Sequence, residues 1–151
     1  MKLLSMNTAI YSCTRLEELA AEFSIGRGDV ILTNRYILSG AALDAMSGAS
    51  VIWKEDYGKG EPTDVMVNAI RAECPRDAKR IIALGGGTVM DVAKLLVLPL
   101  DRPLESFLAP DAEFIRERKL ILVPTTCGTG SEMTNISICL LYTSDAADEL
   151  D

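Results

Sequence analysis

The feature that most constrains this chain is a strand, a glycine turn and a helix that follow one another without a break at residues 80–94. Residues 81–84 form a continuous apolar run, which is typical of a parallel strand buried on both faces. Gly85, Gly86 and Gly87 follow; because they lack a Cβ, they can adopt a positive φ and let a ligand approach the main chain. The backbone N–H groups of such a turn, at the start of a helix, favour an anion, so the pattern predicts a phosphate-binding turn.

The helix after the turn is predicted from its apolar spacing and its first residues. Thr88 is the predicted N-cap, with Asp91 completing a Thr-x-x-Asp capping arrangement. Apolar residues then recur at helical spacing: Val89, Val92, Ala93 and Leu96. The turn is neither a Walker loop, which ends Gly-Lys-Ser/Thr, nor the spaced Gly-x-Gly-x-x-Gly fingerprint, and a tight turn without a ligand is the alternative interpretation.

Apolar strands alternate with amphipathic helices along the rest of the chain. The predicted strands are residues 3–4 with 9–11, 30–33, 50–53 and 120–123; the predicted helices are residues 15–23, 36–46 and 63–74. This alternation predicts an α/β fold, a Rossmann-like parallel sheet flanked by helices. Ligands of such sheets bind outside the carboxyl ends of the strands, where Asn34, the glycine turn and the hydroxyl-rich residues 125–131 are expected. The alternative for residues 125–131 is a polar connection without a ligand.

Composition narrows the class of protein. The chain has 151 residues, enough for one domain, and a formal net charge of −7, to which residues 139–151 contribute four acidic residues. It has no lysine or arginine cluster, which argues against a nucleic-acid surface. No apolar run is long enough to span a membrane, and polar residues interrupt any signal-peptide core near the N-terminus. We therefore expect no nucleic-acid partner and no membrane association.

Cysteine and histidine usage limits the chemistry. The four cysteines are scattered, which favours a reduced, cytoplasmic protein. The chain has no histidine, so the commonest metal ligand and the usual base for a serine or cysteine nucleophile are both missing. Cys127 is accordingly interpreted as a small residue that fills its loop and not as a nucleophile.

Two long motifs together resemble a known family. Residues 85–94, Gly-Gly-Gly-Thr-Val-Met-Asp-Val-Ala-Lys, and residues 123–134, Val-Pro-Thr-Thr-Cys-Gly-Thr-Gly-Ser-Glu-Met-Thr, are similar to the paired signatures of the iron-containing (group III) alcohol dehydrogenases. Residues 29–34, 57–64 and 125–138 most resemble the members of that family that act on 4-hydroxybutyrate. The resemblance covers residues 1–138, which correspond to the N-terminal nucleotide-binding domain of a dehydroquinate synthase-like fold.

The resemblance implies a role in NAD binding for a set of positions. Those of the glycine turn would hold the pyrophosphate, and those of the second motif would line the adenosine and the nicotinamide ribose: Gly85, Gly86, Gly87, Thr88, Val89, Thr125, Thr126, Cys127, Gly128, Thr129 and Thr134. At Asn34 many members carry an acidic residue that binds the adenosine ribose. An amide can bond a 2′-hydroxyl but does not repel a 2′-phosphate, and NAD is preferred here over NADP. For Asp91 and Lys94, a structural cap and a solvated or paired lysine are preferred over a chemical role.

The implied activity is reversible hydride transfer between nicotinamide and a small primary alcohol, such as 4-hydroxybutyrate, with succinate semialdehyde as the aldehyde. The family's metal, Fe²⁺ or Zn²⁺, is held by an aspartate and three histidines of a helical C-terminal domain that is absent here, and no catalytic or metal-binding residue is assigned to this chain. The alternatives are a fragment of a glycerol dehydrogenase or dehydroquinate synthase-like enzyme and a non-catalytic nucleotide-binding module. The oligomeric state of the full-length enzyme stays open, a homo-oligomer included.

The last 13 residues, 139–151, break the resemblance. Residues 139–149 read, in one frame, as the translation of a transposon-end sequencing adapter, so the segment is interpreted as a non-native tail and excluded from the fold. We therefore expect a nucleotide-binding domain at residues 1–138, truncated at its C-terminal end. A genuine divergent C-terminus is the alternative.

Overall fold

The structure is a computed structural model, and it describes residues 1, 8–128 and 130–133. Its four strands are β1 Asp29–Thr33, β2 Ser50–Trp53, β3 Arg80–Gly85 and β4 Lys119–Pro124. Its four α-helices are α1 Leu16–Glu22, α2 Gly40–Ala45, α3 Asp64–Glu73 and α4 Gly87–Leu96, and short 3-10 turns cover Lys54–Tyr57, Leu104–Phe107 and Ser131–Met133. All strand pairs are parallel, in the order β2-β1-β3-β4, which confirms the predicted α/β fold.

The strand order places a crevice between β1 and β3. Val30 lies between Ser50 of β2 on one side and Ile81 of β3 on the other, so β1 is an inner strand. From β1 the chain moves outward to β2 and then returns to the opposite side of β1 to form β3. The carboxyl ends of β1 and β3 therefore flank the point where the order reverses, which is where open parallel sheets bind ligands.

The sheet is covered on both faces, which explains its continuous apolar strands. Side chains of a strand alternate between the two faces. In β1, Val30 and Leu32 pack in a cluster with residues of α3 and α4, whereas Ile31 packs on the other face in a cluster that includes Leu19 of α1 and Met46 after α2. β3 divides between the same two clusters and is fully buried from Ile81 onward. β3 is thus held rigidly beneath the glycine turn.

The caps of the helices are partly as predicted. Thr63 is predicted at the start of its helix, and its Oγ1 accepts a hydrogen bond from the backbone N–H of Met66 at 3.0 Å.

Two buried arginines donate hydrogen bonds to carbonyl groups at and beyond the end of α4. Arg71 donates to Leu95, Pro99 and Arg102, and Arg118 donates to Leu98. The far end of α4 is therefore fixed by side-chain hydrogen bonds.

Two predicted elements are wrong in extent. The helix expected at residues 36–46 is confined to Gly40–Ala45, because the carbonyl of Asn34 accepts from the N–H groups of Ile37 and Leu38 and Gly40 has φ +55°. Residues 9–11 are not a strand, and Ile10 is exposed; the rest of that predicted strand, residues 3–4, lies outside the described residues.

Within the described part of the chain, no helix is long and apolar enough to cross a membrane.

Candidate dinucleotide-binding site

The glycine turn leads directly from β3 into α4. Gly86 is the N-cap, and the N–H of Met90 makes the first helical bond back to its carbonyl, at 3.1 Å. The N–H groups of the first helical residues, here Gly87, Thr88 and Val89, have no acceptor within a helix. They start a ten-residue helix whose N-terminus favours negative charge. The turn can therefore offer several backbone donors to one phosphate group.

The glycines are required for close approach and not for a left-handed backbone. None of Gly85, Gly86 and Gly87 has a positive φ, contrary to the expectation from sequence. A Cβ on Gly85 would lie 2.8 Å from the Cβ of Val89, and one on Gly86 would lie 3.2 Å from Oγ1 of Thr126. Gly85 thus lets the first turn of α4 pack on the strand end, and Gly86 lets the second loop come close.

The predicted cap of α4 is wrong. Thr88 lies inside the helix, and Gly86 caps it without a side-chain hydrogen bond. Asp91 does not close a capping box but lies in the buried side of α4, where its Oδ1 accepts from the hydroxyl of Ser131 at 2.7 Å. The carboxylate is thus bound by a partner 40 residues away and does not cap the helix.

The second loop lies against the glycine turn. After β4 ends, the N–H of Thr125 donates to the carbonyl of Gly85 at 3.0 Å, which extends the β3–β4 pairing beyond the strands. Thr126 then faces Gly86, and Cys127 and Gly128 are exposed, Gly128 with φ +146°. The structure thus brings residues 125–128 next to the turn; Thr129 and Thr134, also predicted to bind the cofactor, lie outside the described residues.

A buried polar chain connects α4 to the second loop. Lys94 donates to Oγ of Ser131 at 2.7 Å, and Ser131 in turn donates to Asp91, whose carboxylate is 3.5 Å from the ammonium group of Lys94. Burial lowers the pKa of Lys94, and the Asp91 carboxylate opposes that change. Lys94 is therefore a buried, paired lysine and not a solvated one.

Asn34 lies at the carboxyl end of β1, beside the turn. Oγ1 of the preceding Thr33 donates to the carbonyl of Leu84 at 2.8 Å, which fixes the strand end next to β3. Asn34 is buried, and its Nδ2 is 3.5 Å from the hydroxyl oxygen of Tyr36. Among the described residues predicted to bind the cofactor, the side chain of Val89 is buried in the core, at 2% exposure, so only its backbone could meet a ligand.

Two features of this region are not predictable from the sequence. Ser131 was seen as part of a motif, but its bonds to α4 depend on packing that no local pattern encodes. The charged cluster of Arg35, Glu55 and Asp56 at the ends of β1 and β2 was also missed, because its members are about 20 residues apart and carry no motif.

The residues present fit a dinucleotide but not a metal. A Cβ would intrude at Gly86, where the backbone is open to a neighbouring loop, and the start of α4 supplies donors suited to a phosphate. Among the described residues, no group of three or more histidine, cysteine, aspartate or glutamate side chains could hold a metal ion.

A family model for iron-containing alcohol dehydrogenases matches residues 7–147. The chain belongs to the iron-containing alcohol dehydrogenase family. It is 39% identical over 142 residues to the 4-hydroxybutyrate dehydrogenase of Clostridium kluyveri, a match that covers 93% of this chain and 38% of that protein. It is 38% identical over 100 residues to the probable alcohol dehydrogenase EutG of Salmonella typhimurium, covering 64% of this chain and 25% of that protein. The chain thus spans less than two-fifths of the length of these relatives.

Solved structures of the family share the fold. The sulfoacetaldehyde reductase of Bifidobacterium kashiwanohense, determined in complex with NAD⁺, superposes with a TM-score of 0.62 at 18% identity, over 83% of this chain and 40% of that one. A crystal structure of an iron-containing alcohol dehydrogenase superposes with a TM-score of 0.63 at 20% identity, over 84% of this chain and 38% of that one. At these identities the likeness concerns the fold alone.

Proposed function

We propose that this chain is the cofactor-binding part of an NAD-dependent alcohol dehydrogenase that transfers a hydride between a small primary alcohol and nicotinamide. The observation that carries the proposal is the glycine turn at the reversal of strand order, where Gly86 meets Thr126 and α4 presents its first N–H groups. Family membership supports the same cofactor, since a structure of similar fold was determined with NAD⁺.

Different residues of the proposed site would bind different parts of the dinucleotide. The N–H groups of Gly87, Thr88 and Val89 would hold the pyrophosphate, and Asn34 would face the adenosine ribose. Thr125, Thr126, Cys127 and Gly128 would line the other side of the crevice, with Thr129 and Thr134 extending it. Bound nicotinamide would supply the hydride chemistry, and this chain would bind and orient it.

A titration with NAD, followed by calorimetry, tests the site. Gly86→Asp places a carboxylate where the pyrophosphate is expected and a Cβ 3.2 Å from Oγ1 of Thr126, at a backbone φ of −83° that aspartate tolerates, so affinity should fall by about tenfold or more. Ala72→Asp adds the same charge at an exposed position near the end of α3 and should bind like the parent chain. A folded Gly86→Asp chain that binds NAD as tightly as the Ala72→Asp chain would overturn the proposed site.

For the substrate we propose 4-hydroxybutyrate, with succinate semialdehyde in the reverse direction. The support is the 39% identity to a 4-hydroxybutyrate dehydrogenase over most of this chain. The test is kcat/KM of the complete enzyme for 4-hydroxybutyrate against ethanol and glycerol. A preference for glycerol would favour the glycerol dehydrogenase alternative, and no oxidation of any alcohol would favour a non-catalytic nucleotide-binding module.

We further propose that the native domain is residues 1–138, that residues 139–151 are not native, and that the protein is cytoplasmic. The thiols of Cys13, Cys74 and Cys127 are free, as expected in a reducing compartment. The tail lies outside the described residues, and the family match, which extends to residue 147, includes part of it. Genomic DNA beyond codon 138 that encodes a different continuation, with histidines in a helical segment, would support the division; DNA that encodes residues 139–151 would contradict it.

A further inference from the structure

A charged cluster lies beside the proposed adenosine site, at the carboxyl ends of β1 and β2. Arg35 follows Asn34, and its guanidinium group donates to both oxygens of Asp56, at 2.6 and 2.9 Å. The backbone N–H of Arg35 donates to Oε1 of Glu55 at 2.8 Å. The guanidinium carbon also lies 4.9 Å from the ring centroid of Trp53. Arg35 is therefore held by three residues of β2 and the turn that follows it.

These contacts hold the Arg35 side chain on one side of β1, which lies between β2 and β3. Trp53 and Asp56 are on the β2 side, whereas the glycine turn follows β3 on the other side. The guanidinium group is thus drawn away from the crevice in which the adenosine ribose is proposed to lie. An arginine next to the ribose is what accommodates the 2′-phosphate of NADP in related parallel-sheet folds.

The carboxylates of Glu55 and Asp56 also disfavour the binding of a 2′-phosphate. The hydrogen bond from Arg35 lowers the pKa of Asp56, which is consequently ionised at neutral pH. Glu55 is fixed one residue from Asn34 by its bond to the Arg35 backbone, and its Oε2 is buried with no hydrogen-bond partner among the described residues. A 2′-phosphate would therefore approach two carboxylates, and the guanidinium group of Arg35 is already paired with both of them.

We infer that Asp56, by holding Arg35 on the β2 side, makes the site select NAD against NADP. The inference rests on the proposed NAD site and explains how a chain with the uncharged Asn34 at the ribose position can still discriminate. Arg35 and Asp56 are specificity-determining residues in this account, and neither takes part in hydride transfer.

The test is a calorimetric titration of the chain with NAD and with NADP, using three variants and a control. Asp56→Ala should raise NADP affinity by about tenfold or more, because the freed guanidinium can form a charge-assisted bond to the 2′-phosphate, while NAD affinity changes by less than about threefold. Arg35→Ala in the Asp56→Ala background should lose most of the gain and keep only the part that comes from removing the Asp56 carboxylate. Arg35→Ala alone should not improve NADP binding. Asp111→Ala removes an exposed carboxylate in the connection to β4 and should leave the ratio of the two affinities unchanged.

Each outcome decides the question. Equal NADP affinities in the Asp56→Ala and Asp111→Ala chains, or a gain that is undiminished when Arg35 is also removed, would overturn the inference and leave the NAD site standing. A parent chain that binds NADP as tightly as NAD would overturn it as well. A folded parent chain that binds neither dinucleotide would overturn the proposed function and this inference together.

Discussion

The ammonium group of Lys94 lies 2.7 Å from the hydroxyl oxygen of Ser131, although the two residues are 37 positions apart. Lys94 belongs to the helix that begins at the glycine turn, and Ser131 belongs to the loop that follows β4. Through this bond and the one from Ser131 to Asp91, the two parts of the proposed site are fixed to each other. Hydrogen bonds between these buried side chains thus fix the position of the second loop relative to the glycine turn.

Removing the Ser131 hydroxyl should destabilise the chain. Ser131→Ala leaves a buried ammonium group and a buried carboxylate each without one partner, and such losses typically cost about 1–3 kcal/mol. Ser106→Ala removes an exposed bond to the Pro103 carbonyl and should cost no more than about 0.5 kcal/mol. Urea unfolding measures both. Equal costs would contradict the structural role of Ser131.

Lys94 should give the stability a characteristic pH dependence. Burial lowers its pKa in the folded state from the ordinary 10.5. Between the lowered value and 10.5 the unfolded chain binds more protons, so the free energy of unfolding should rise with pH. Measured as the difference between the parent chain and Lys94→Met, this free energy should increase as the pH rises through the alkaline range toward 10.5.

The matched control for that experiment is Lys59→Met, which removes an exposed lysine. The Lys94→Met difference should change more with pH than the difference for this variant, because Lys94 is buried and Lys59 is exposed. A difference for Lys94→Met that falls as the pH rises would mean that the folded state favours the charged amine, contrary to the burial seen here.

Gly85 should not tolerate even a methyl group. The added carbon of Gly85→Ala would lie 2.8 Å from two carbons of the β-branched Val89, so β3 and α4 must separate, at a typical cost of about 1–3 kcal/mol. At Gly26 the nearest atom to an added carbon is 4.0 Å away, and Gly26→Ala should be neutral or stabilising by up to about 1 kcal/mol. Thermal unfolding compares the two, and a neutral Gly85→Ala would show that the contact is not tight.

Local pattern was sufficient for much of the fold. The apolar run at residues 81–84 is buried on both faces, so it has to be continuous, and a parallel sheet follows from its alternation with helices. The helix predicted at residues 36–46 is too long. Helical spacing does not reveal that the Asn34 carbonyl accepts hydrogen bonds from two N–H groups before Gly40. Turn hydrogen bonds of this kind compete with helix formation and are invisible to apolar periodicity.

The proposed site was only partly accessible to the same reasoning. The sequence predicts the glycine turn but not why glycine is needed there. The contacts of Gly85 with Val89 and of Gly86 with Thr126 exist only in the folded chain. Likewise Asp91 matched a capping pattern while its actual partners are Ser131 and Lys94. Sequence spacing describes the neighbours along one element, and these contacts join separate elements.

The most direct test of the proposed NAD site is a titration of the isotope-labelled chain with NAD, followed by the shifts of its backbone amide resonances in NMR spectra. The account predicts the largest shifts at Gly86, Gly87 and Thr88 and at Thr126 in the facing loop, with little change at Leu19 of α1. Shifts concentrated on α1 and α2, or spread evenly over the chain, would contradict a dinucleotide site at the reversal of strand order.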